Sequence, residues 1–80
     1  MKIKILGTGC PNCKVLERNT SEAVSQLQMN VEIEKVTDLV KIIEYGVMST
    51  PALVFDEKVI SYGKVLNVEE IKKLLKEISN

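Results

Sequence analysis

The sequence predicts a single α/β domain with the element order β-α-β-α-β-β-α, in which three helices flank a mixed four-stranded sheet. Three observations predict this class. Some segments alternate apolar and polar residues or are continuously apolar, as strands are. Along the chain they are interspersed with segments whose apolar residues recur at helical spacing. The chain has 80 residues, enough for one hydrophobic core, so residues 1–80 are expected to form one domain. A strand–helix–strand start predicts a parallel strand pair, and a late hairpin adds an antiparallel one.

The first half of the chain contains two predicted strands and one long helix. Residues 2–6 alternate lysine with apolar residues, which is typical of a half-buried strand. A turn of small residues follows, and Pro11 suits the first position of a helix predicted over 11–28, because its fixed φ is helical and its missing N–H needs no partner there. Residues 31–36 are predicted as the second strand.

The second half of the chain supplies a short helix, a hairpin and a final helix. Thr37 or Asp38 is expected to cap a short helix that Gly46 closes. The apolar run 52–55 predicts a strand buried on both faces, and residues 59–62 return as its hairpin partner. Asn67 is expected to cap a last helix, whose apolar face is formed by Val68, Ile71, Leu74, Leu75 and Ile78.

The composition excludes several classes of function. Eleven basic residues balance eleven acidic ones and histidine is absent, so neither nucleic acid nor an anionic surface is an expected partner. The apolar start is too short for a signal peptide, and no segment approaches the roughly 20 apolar residues of a membrane span. We therefore expect a cytoplasmic protein, monomeric and not inserted in a membrane. In a reducing cytosol, two cysteines are more often catalytic or metal-binding than structural.

Cys10 and Cys13 carry the chemical signal, because they lie where strand one meets helix one. Residues three apart on a first helical turn share a face, so the two sulfurs can form a disulfide with little backbone movement. Unpaired N–H groups and the helix dipole favour a thiolate there. We predict that Cys10 is the nucleophile, which attacks a disulfide of a protein partner. Cys13, one turn further in, then resolves the mixed disulfide and closes the Cys10–Cys13 bridge.

Other interpretations of the two cysteines stay open. A structural zinc site needs two further ligands that the chain lacks, whereas two thiolates suffice for a soft ion such as Cu(I). Copper-carrier domains also place Cys-x-x-Cys between strand one and helix one, although their order β-α-β-β-α-β ends on a strand. The remaining alternatives are inert buried thiols and a binding module whose disulfide gates association with a partner.

Two segments together resemble the thioredoxin/glutaredoxin superfamily, and more narrowly its small archaeal and bacterial thioredoxin-like redox-active disulfide proteins. They are the run 7–13, Gly-Thr-Gly-Cys-Pro-Asn-Cys, and the run 49–52, Ser-Thr-Pro-Ala, which precedes a buried strand. The resemblance implies a cis peptide between Thr50 and Pro51. It also implies that the backbone of Thr50 pairs with an extended segment of the partner. Pro11 and Asn12, between the cysteines, complete the implied substrate site.

The same resemblance bears on the electron donor. Glutaredoxins hold glutathione with a Gly-Gly pair, and only Gly63 follows the hairpin here. Glutathione is therefore disfavoured as the reductant, and a protein reductase of the thioredoxin-reductase type is favoured. We expect neither a cofactor nor a metal ion at the site. Lys4, on the alternating first strand, is expected on the wet face rather than beside the thiols.

Overall fold

The computed structural model describes residues 2–9 and 11–79, and it has the predicted fold class and element order. The elements are β1 (Lys2–Leu6), α1 (Pro11–Leu27), β2 (Glu32–Val36), α2 (Leu39–Glu44), β3 (Ala52–Phe55), β4 (Lys58–Tyr62) and α3 (Val68–Ser79). No helix in the described ranges is both long and apolar enough to cross a membrane.

The strands form one mixed sheet in the order β2-β1-β3-β4. The central strand β1 runs parallel to β2 and antiparallel to β3, and β3 runs antiparallel to β4. The β1–β3 register places Leu6, the last residue of β1, opposite Ala52, the first residue of β3. Because β1 ends where β3 begins, the segments that follow Leu6 and precede Ala52 lie at the same end of the sheet.

Each face of the sheet carries its own hydrophobic core, because side chains alternate along a strand. Ile3 and Ile5 of β1 pack on one face with residues of α1 and α3 such as Leu16 and Ile71. The other face packs against α2 and its flanking residues, and its core consists of Leu6, Val36, Ile42, Val47, Ala52 and Val54. Strand β3 serves both cores, which explains why its four residues are all buried.

The helix ends follow from local hydrogen bonds. Helix α1 ends at Leu27, one residue before the predicted boundary, because Gln28 has a left-handed φ of 54°. Of the two candidate caps for α2, Asp38 is the one used: its carboxylate accepts a hydrogen bond from the Val40 N–H at 2.9 Å. At α3, Asn67 and Glu70 form the expected reciprocal capping box.

Helix α2 is more exposed than its apolar sequence suggests. The prediction of a short helix is confirmed, but of its four large aliphatic residues only Ile42 is buried. Leu39, Val40 and Ile43 are between 59% and 63% exposed. A helix of six residues presents little more than one position to the sheet, so the other apolar side chains remain on its outer side.

Candidate functional site

The start of α1 presents the second cysteine of the Cys-x-x-Cys pair. Pro11 is the first residue of the helix and is exposed, as is Asn12, whereas the Cys13 side chain is only 5% exposed. Cys13 is disulfide-bonded. Cys10, predicted as the nucleophile, lies outside the described residues. The first turn of α1 carries no acidic residue, so the positive end of its helix dipole is not offset within that turn.

Because Gly7 has no side chain, the Cys13 sulfur can occupy the space beside it. A Cβ atom added at Gly7 would overlap Cys13 Sγ and would lie 3.1 Å from Cys13 Cβ. Gly7 is held in place because its N–H donates to the carbonyl oxygen of Val36 at 3.0 Å. The requirement for glycine here is steric, since the φ of Gly7 is not left-handed. The local sequence predicts only a turn at Gly7, because the close approach depends on how α1 packs.

The second predicted segment of the site is the loop that precedes β3. The Thr50–Pro51 peptide is cis. Thr50 is exposed, and Pro51 is buried. The carbonyl oxygen of Pro51 accepts a hydrogen bond from the Gly63 N–H at 3.0 Å. Gly63 has a φ of 72°, and a Cβ added there would lie 3.2 Å from Ser49 Cβ, so the residue that ends the hairpin also fits closely against this loop.

The sheet register brings the two segments to one end of the molecule. Gly7, which contacts Cys13, follows Leu6, and Pro51 precedes Ala52, which lies opposite Leu6. The first turn of α1 and the Thr50–Pro51 loop therefore lie at the same end of the sheet, where β1 ends and β3 begins. Segments distant in sequence meet there because β1 and β3 are antiparallel neighbours.

A small cavity of about 90 Å³ adjoins Cys13, and its lining includes charged residues that no motif in the sequence indicates. Its walls include Lys14 and Glu17 of α1, Lys35 of β2 and Thr37. Lys35 Nζ lies 3.4 Å from Glu17 Oε2, forming an ion pair between the helix and the strand. The only available signal in the sequence was the helical spacing of Glu17 from Cys13, which by itself is common in surface helices.

Lys4 lies away from this cavity, on the opposite face of β1. Ile5 lines the cavity, whereas the side chain of Lys4 projects towards the α2 side of the sheet. There Lys4 Nζ donates hydrogen bonds to the hydroxyl of Tyr45 and to Glu57 Oε1, both at 2.7 Å. Its charge is therefore used in an ion pair remote from Cys13.

The described ranges contain no group of three or more histidine, cysteine, aspartate or glutamate side chains that could hold a metal ion. This search does not address a two-thiolate site that includes Cys10. The described part of the site contains four features that can take part in chemistry: a buried sulfur, a helix N-terminus, a cis-proline loop and one adjacent ion pair.

The fold and the site together define a thioredoxin-like protein, and comparison with known families agrees. The family described as "Thioredoxin domain" matches residues 1–76, so the chain belongs to that family. Two archaeal relatives, each named thioredoxin, resemble it along most of their length. The protein from Methanothermobacter thermautotrophicus is 45% identical over 75 residues, which cover 94% of this chain and 97% of the relative. The one from Methanocaldococcus jannaschii is 46% identical over 74 residues, covering 92% and 85%.

Proposed function

We propose that this protein is a thiol–disulfide oxidoreductase that exchanges a Cys10–Cys13 dithiol or disulfide with protein partners. The observation that carries the proposal is the disulfide-bonded Cys13 on the first turn of α1, with its sulfur against Gly7. Membership of the thioredoxin domain family and the two relatives named thioredoxin support the same class of activity.

The proposed cycle has two exchange steps. In the first, the Cys10 thiolate attacks a partner disulfide, forms a mixed disulfide and releases one partner sulfur as a thiolate. In the second, the Cys13 sulfur attacks Cys10 Sγ, the bond between Cys10 and the partner breaks, and the partner leaves fully reduced. The two electrons gained by the partner come from the two protein thiols, which end as a disulfide. A reductant must then regenerate the dithiol, and we assign this role to a protein reductase.

The assignment of roles follows from position along the helix. Cys10 immediately precedes the first residue of α1, where unpaired N–H groups and the helix dipole favour an anionic sulfur. Cys13 is buried and therefore suited to attack from within after a partner has bound. We further assign the exposed Pro11, Asn12 and Thr50, together with Pro51, to the surface that receives an extended segment of the partner.

A disulfide reduction assay tests this proposal. The native protein should accelerate the reduction of insulin disulfides by a dithiol reductant, and Cys10→Ser should lower the rate to that of the reductant alone, because the nucleophile is gone. Cys13→Ser should accumulate mixed disulfides, since the resolving thiol is missing. Glu22→Gln, which changes an exposed residue of α1 outside the proposed site and leaves both thiols in place, is the control and should retain activity.

Two experimental outcomes would contradict this proposal and favour a different function. Equal rates for the native protein and Cys10→Ser, with copper or zinc retained by the native protein after dialysis, would favour the soft-metal carrier. A partner complex that depends on the disulfide, combined with no turnover, would favour a redox-gated binding module. Identification of the proteins captured by Cys13→Ser would also name the physiological substrates.

A further inference from the structure

We propose that Glu17 is a catalytic residue that accepts the proton of the Cys13 thiol through the cavity which both residues line. The inference rests on the proposed exchange function and assigns the proton transfer of its second step. Glu17 belongs to α1 and lies four residues after Cys13, so the two side chains occupy the same helix face.

The second step needs a proton acceptor because only a thiolate is an effective nucleophile. Cys13 is 5% exposed, and burial disfavours the charged form of a thiol. Solvent therefore has little direct access to the Cys13 proton. A carboxylate beside the sulfur can remove that proton at the moment of attack, which is how a positioned base contributes in general.

The cavity supplies both the path and the base. Its volume of about 90 Å³ exceeds the roughly 10–15 Å³ that one water molecule needs, so water can connect Glu17 with the sulfur. Its charged lining from the described residues comes from two elements, with Lys14 and Glu17 on α1 and Lys35 on β2. The lining from Ile5, Gly7, Gly9 and Thr37 carries no charge, which leaves Glu17 as the only carboxylate among the described lining residues.

Lys35 forms an ion pair with this base. Its ammonium lies 3.4 Å from Glu17 Oε2, between β2 and α1. The next residue, Val36, accepts the hydrogen bond from Gly7, whose backbone contacts Cys13. The end of β2 therefore contacts both parts of the site: Lys35 pairs with the base, and Val36 binds the glycine that lies against the sulfur.

The proton and electron balance of the step is complete without another reactant. The Cys13 sulfur forms a bond to Cys10 Sγ as the Cys10–partner bond breaks, and the electron pair of the broken bond leaves with the partner sulfur. The proton passes from Cys13 to the Glu17 carboxylate, through water where one intervenes. It is then released to solvent, from which the partner thiolate takes a proton. In the reverse reaction, protonated Glu17 returns a proton to the departing Cys13 thiolate.

Stopped-flow mixing of the reduced protein with dithiobis(nitrobenzoic acid) tests the inference, because each step releases one coloured thiolate. Glu17→Gln should leave the first release unchanged and slow the second by about 100-fold at pH 7, the lower end of what the loss of a general base usually costs. The difference should shrink only at pH values well above about 8.5, the ordinary thiol pKa, because a buried thiol ionises at higher pH than a free one.

Two variants separate the base from the ion pair. Lys35→Gln removes the same ion pair but keeps the carboxylate, so its second release should remain within about threefold of the native rate. Glu22→Gln, an exposed carboxylate elsewhere on α1, should behave as the native protein. Glu17→Ala provides a second variant without the carboxylate, and alanine favours the helix.

The outcomes distinguish this inference from the function on which it rests. A native first release that is slow and does not depend on Cys10 would remove the proposed function itself. A normal first release, with a second release in Glu17→Gln and Glu17→Ala that has the native rate and pH profile, would overturn only the role of Glu17. Equal slowing by Glu17→Gln and Lys35→Gln would also overturn it, since the ion pair would then be purely structural.

Discussion

At the scale of single residues, the contact between Gly7 and Cys13 determines how closely α1 approaches the end of β1. The backbone of Gly7 touches the Cys13 sulfur, so no larger residue fits without moving the helix or the thiol. A well-packed interior responds to such a movement with strain, because it holds few voids that can absorb an extra methyl group. The proposed redox centre therefore depends on the absence of one side chain.

Gly7→Ala should lower the free energy of unfolding by about 1–3 kcal/mol, the usual range for overpacking, and should alter the reaction rate of the Cys13 thiol. Denaturant unfolding and thiol labelling of the reduced protein measure the two effects. Gly46→Ala is the control: Gly46 has a φ of 78° with open space around it, so alanine there costs only backbone strain. A Gly7→Ala protein with native stability and native Cys13 reactivity would contradict the steric role of Gly7.

At the scale of elements, the capping box at the start of α3 connects a loop to a helix that fills the larger core. Asn67 Oδ1 accepts a hydrogen bond from the Glu70 N–H at 2.8 Å, and Glu70 Oε1 accepts one from the Asn67 N–H at 3.2 Å. Ile71 and Leu75, one and two turns further along, are fully buried. The cap thus satisfies backbone donors close to the residues that pack α3 against the sheet.

Asn67→Ala should destabilise the protein by about 1 kcal/mol, because the helix loses its N-cap acceptor. Asn67→Ser, which retains a capping oxygen, should restore most of the loss. The measurement is the midpoint of urea unfolding at constant slope. If alanine and serine gave the same midpoint as asparagine, the hydrogen bonds of the capping box would contribute nothing to stability.

At the scale of the whole molecule, one polar cluster joins three parts of the chain on the α2 side of the sheet. Lys4 of β1 donates to Tyr45 after α2 and to Glu57 in the β3–β4 turn, and the Tyr45 hydroxyl donates to Glu57 Oε2 at 3.1 Å. The hydrogen bond from Lys4, followed by that from Tyr45, lowers the pKa of Glu57. The same two partners, Glu57 first, raise the pKa of Lys4.

These shifts predict the sign of the pH dependence. A carboxylate with a lowered pKa contributes its full stabilisation above its unfolded pKa of about 4.3, and this contribution is lost as the pH falls below that value and through the lower pKa of the folded state. The raised pKa of Lys4 acts at the alkaline end, where its contribution is lost only as the pH rises beyond about 10.4. At neutral pH both contributions are present.

Unfolding of the native protein should therefore become easier between about pH 5 and pH 3, and Glu57→Gln should show a weaker dependence across that range. Urea unfolding at several pH values measures the difference. Glu77→Gln on the exposed side of α3 serves as the control, because Glu77 makes no ion pair among those found in the described residues. Parallel pH curves for the native protein and Glu57→Gln would show that the cluster does not contribute.

The elements themselves were predictable because they depend on local patterns. Alternation marked β1, the continuous apolar run marked β3, and the Asn67–Glu70 spacing marked the start of α3. The burial of α2 was less predictable, because a short apolar segment does not reveal how few of its side chains can reach the sheet. For the site, Cys10, Cys13, Thr50 and Pro51 were selected from the sequence, and their expected roles in exchange remain predictions.

The sequence by itself determined the order of the elements, the Cys-x-x-Cys pair at the strand–helix junction and the proline loop before β3, because each depends on residues within a few positions of one another. Only the tertiary structure decided that Gly7 must leave room for the Cys13 sulfur, that Gly63 binds the proline loop, and that Glu17 and Lys35 share a cavity with Cys13. The physical reason is that these contacts join separate segments. Their distances are set by the sheet register and by the packing of α1, which no local pattern encodes.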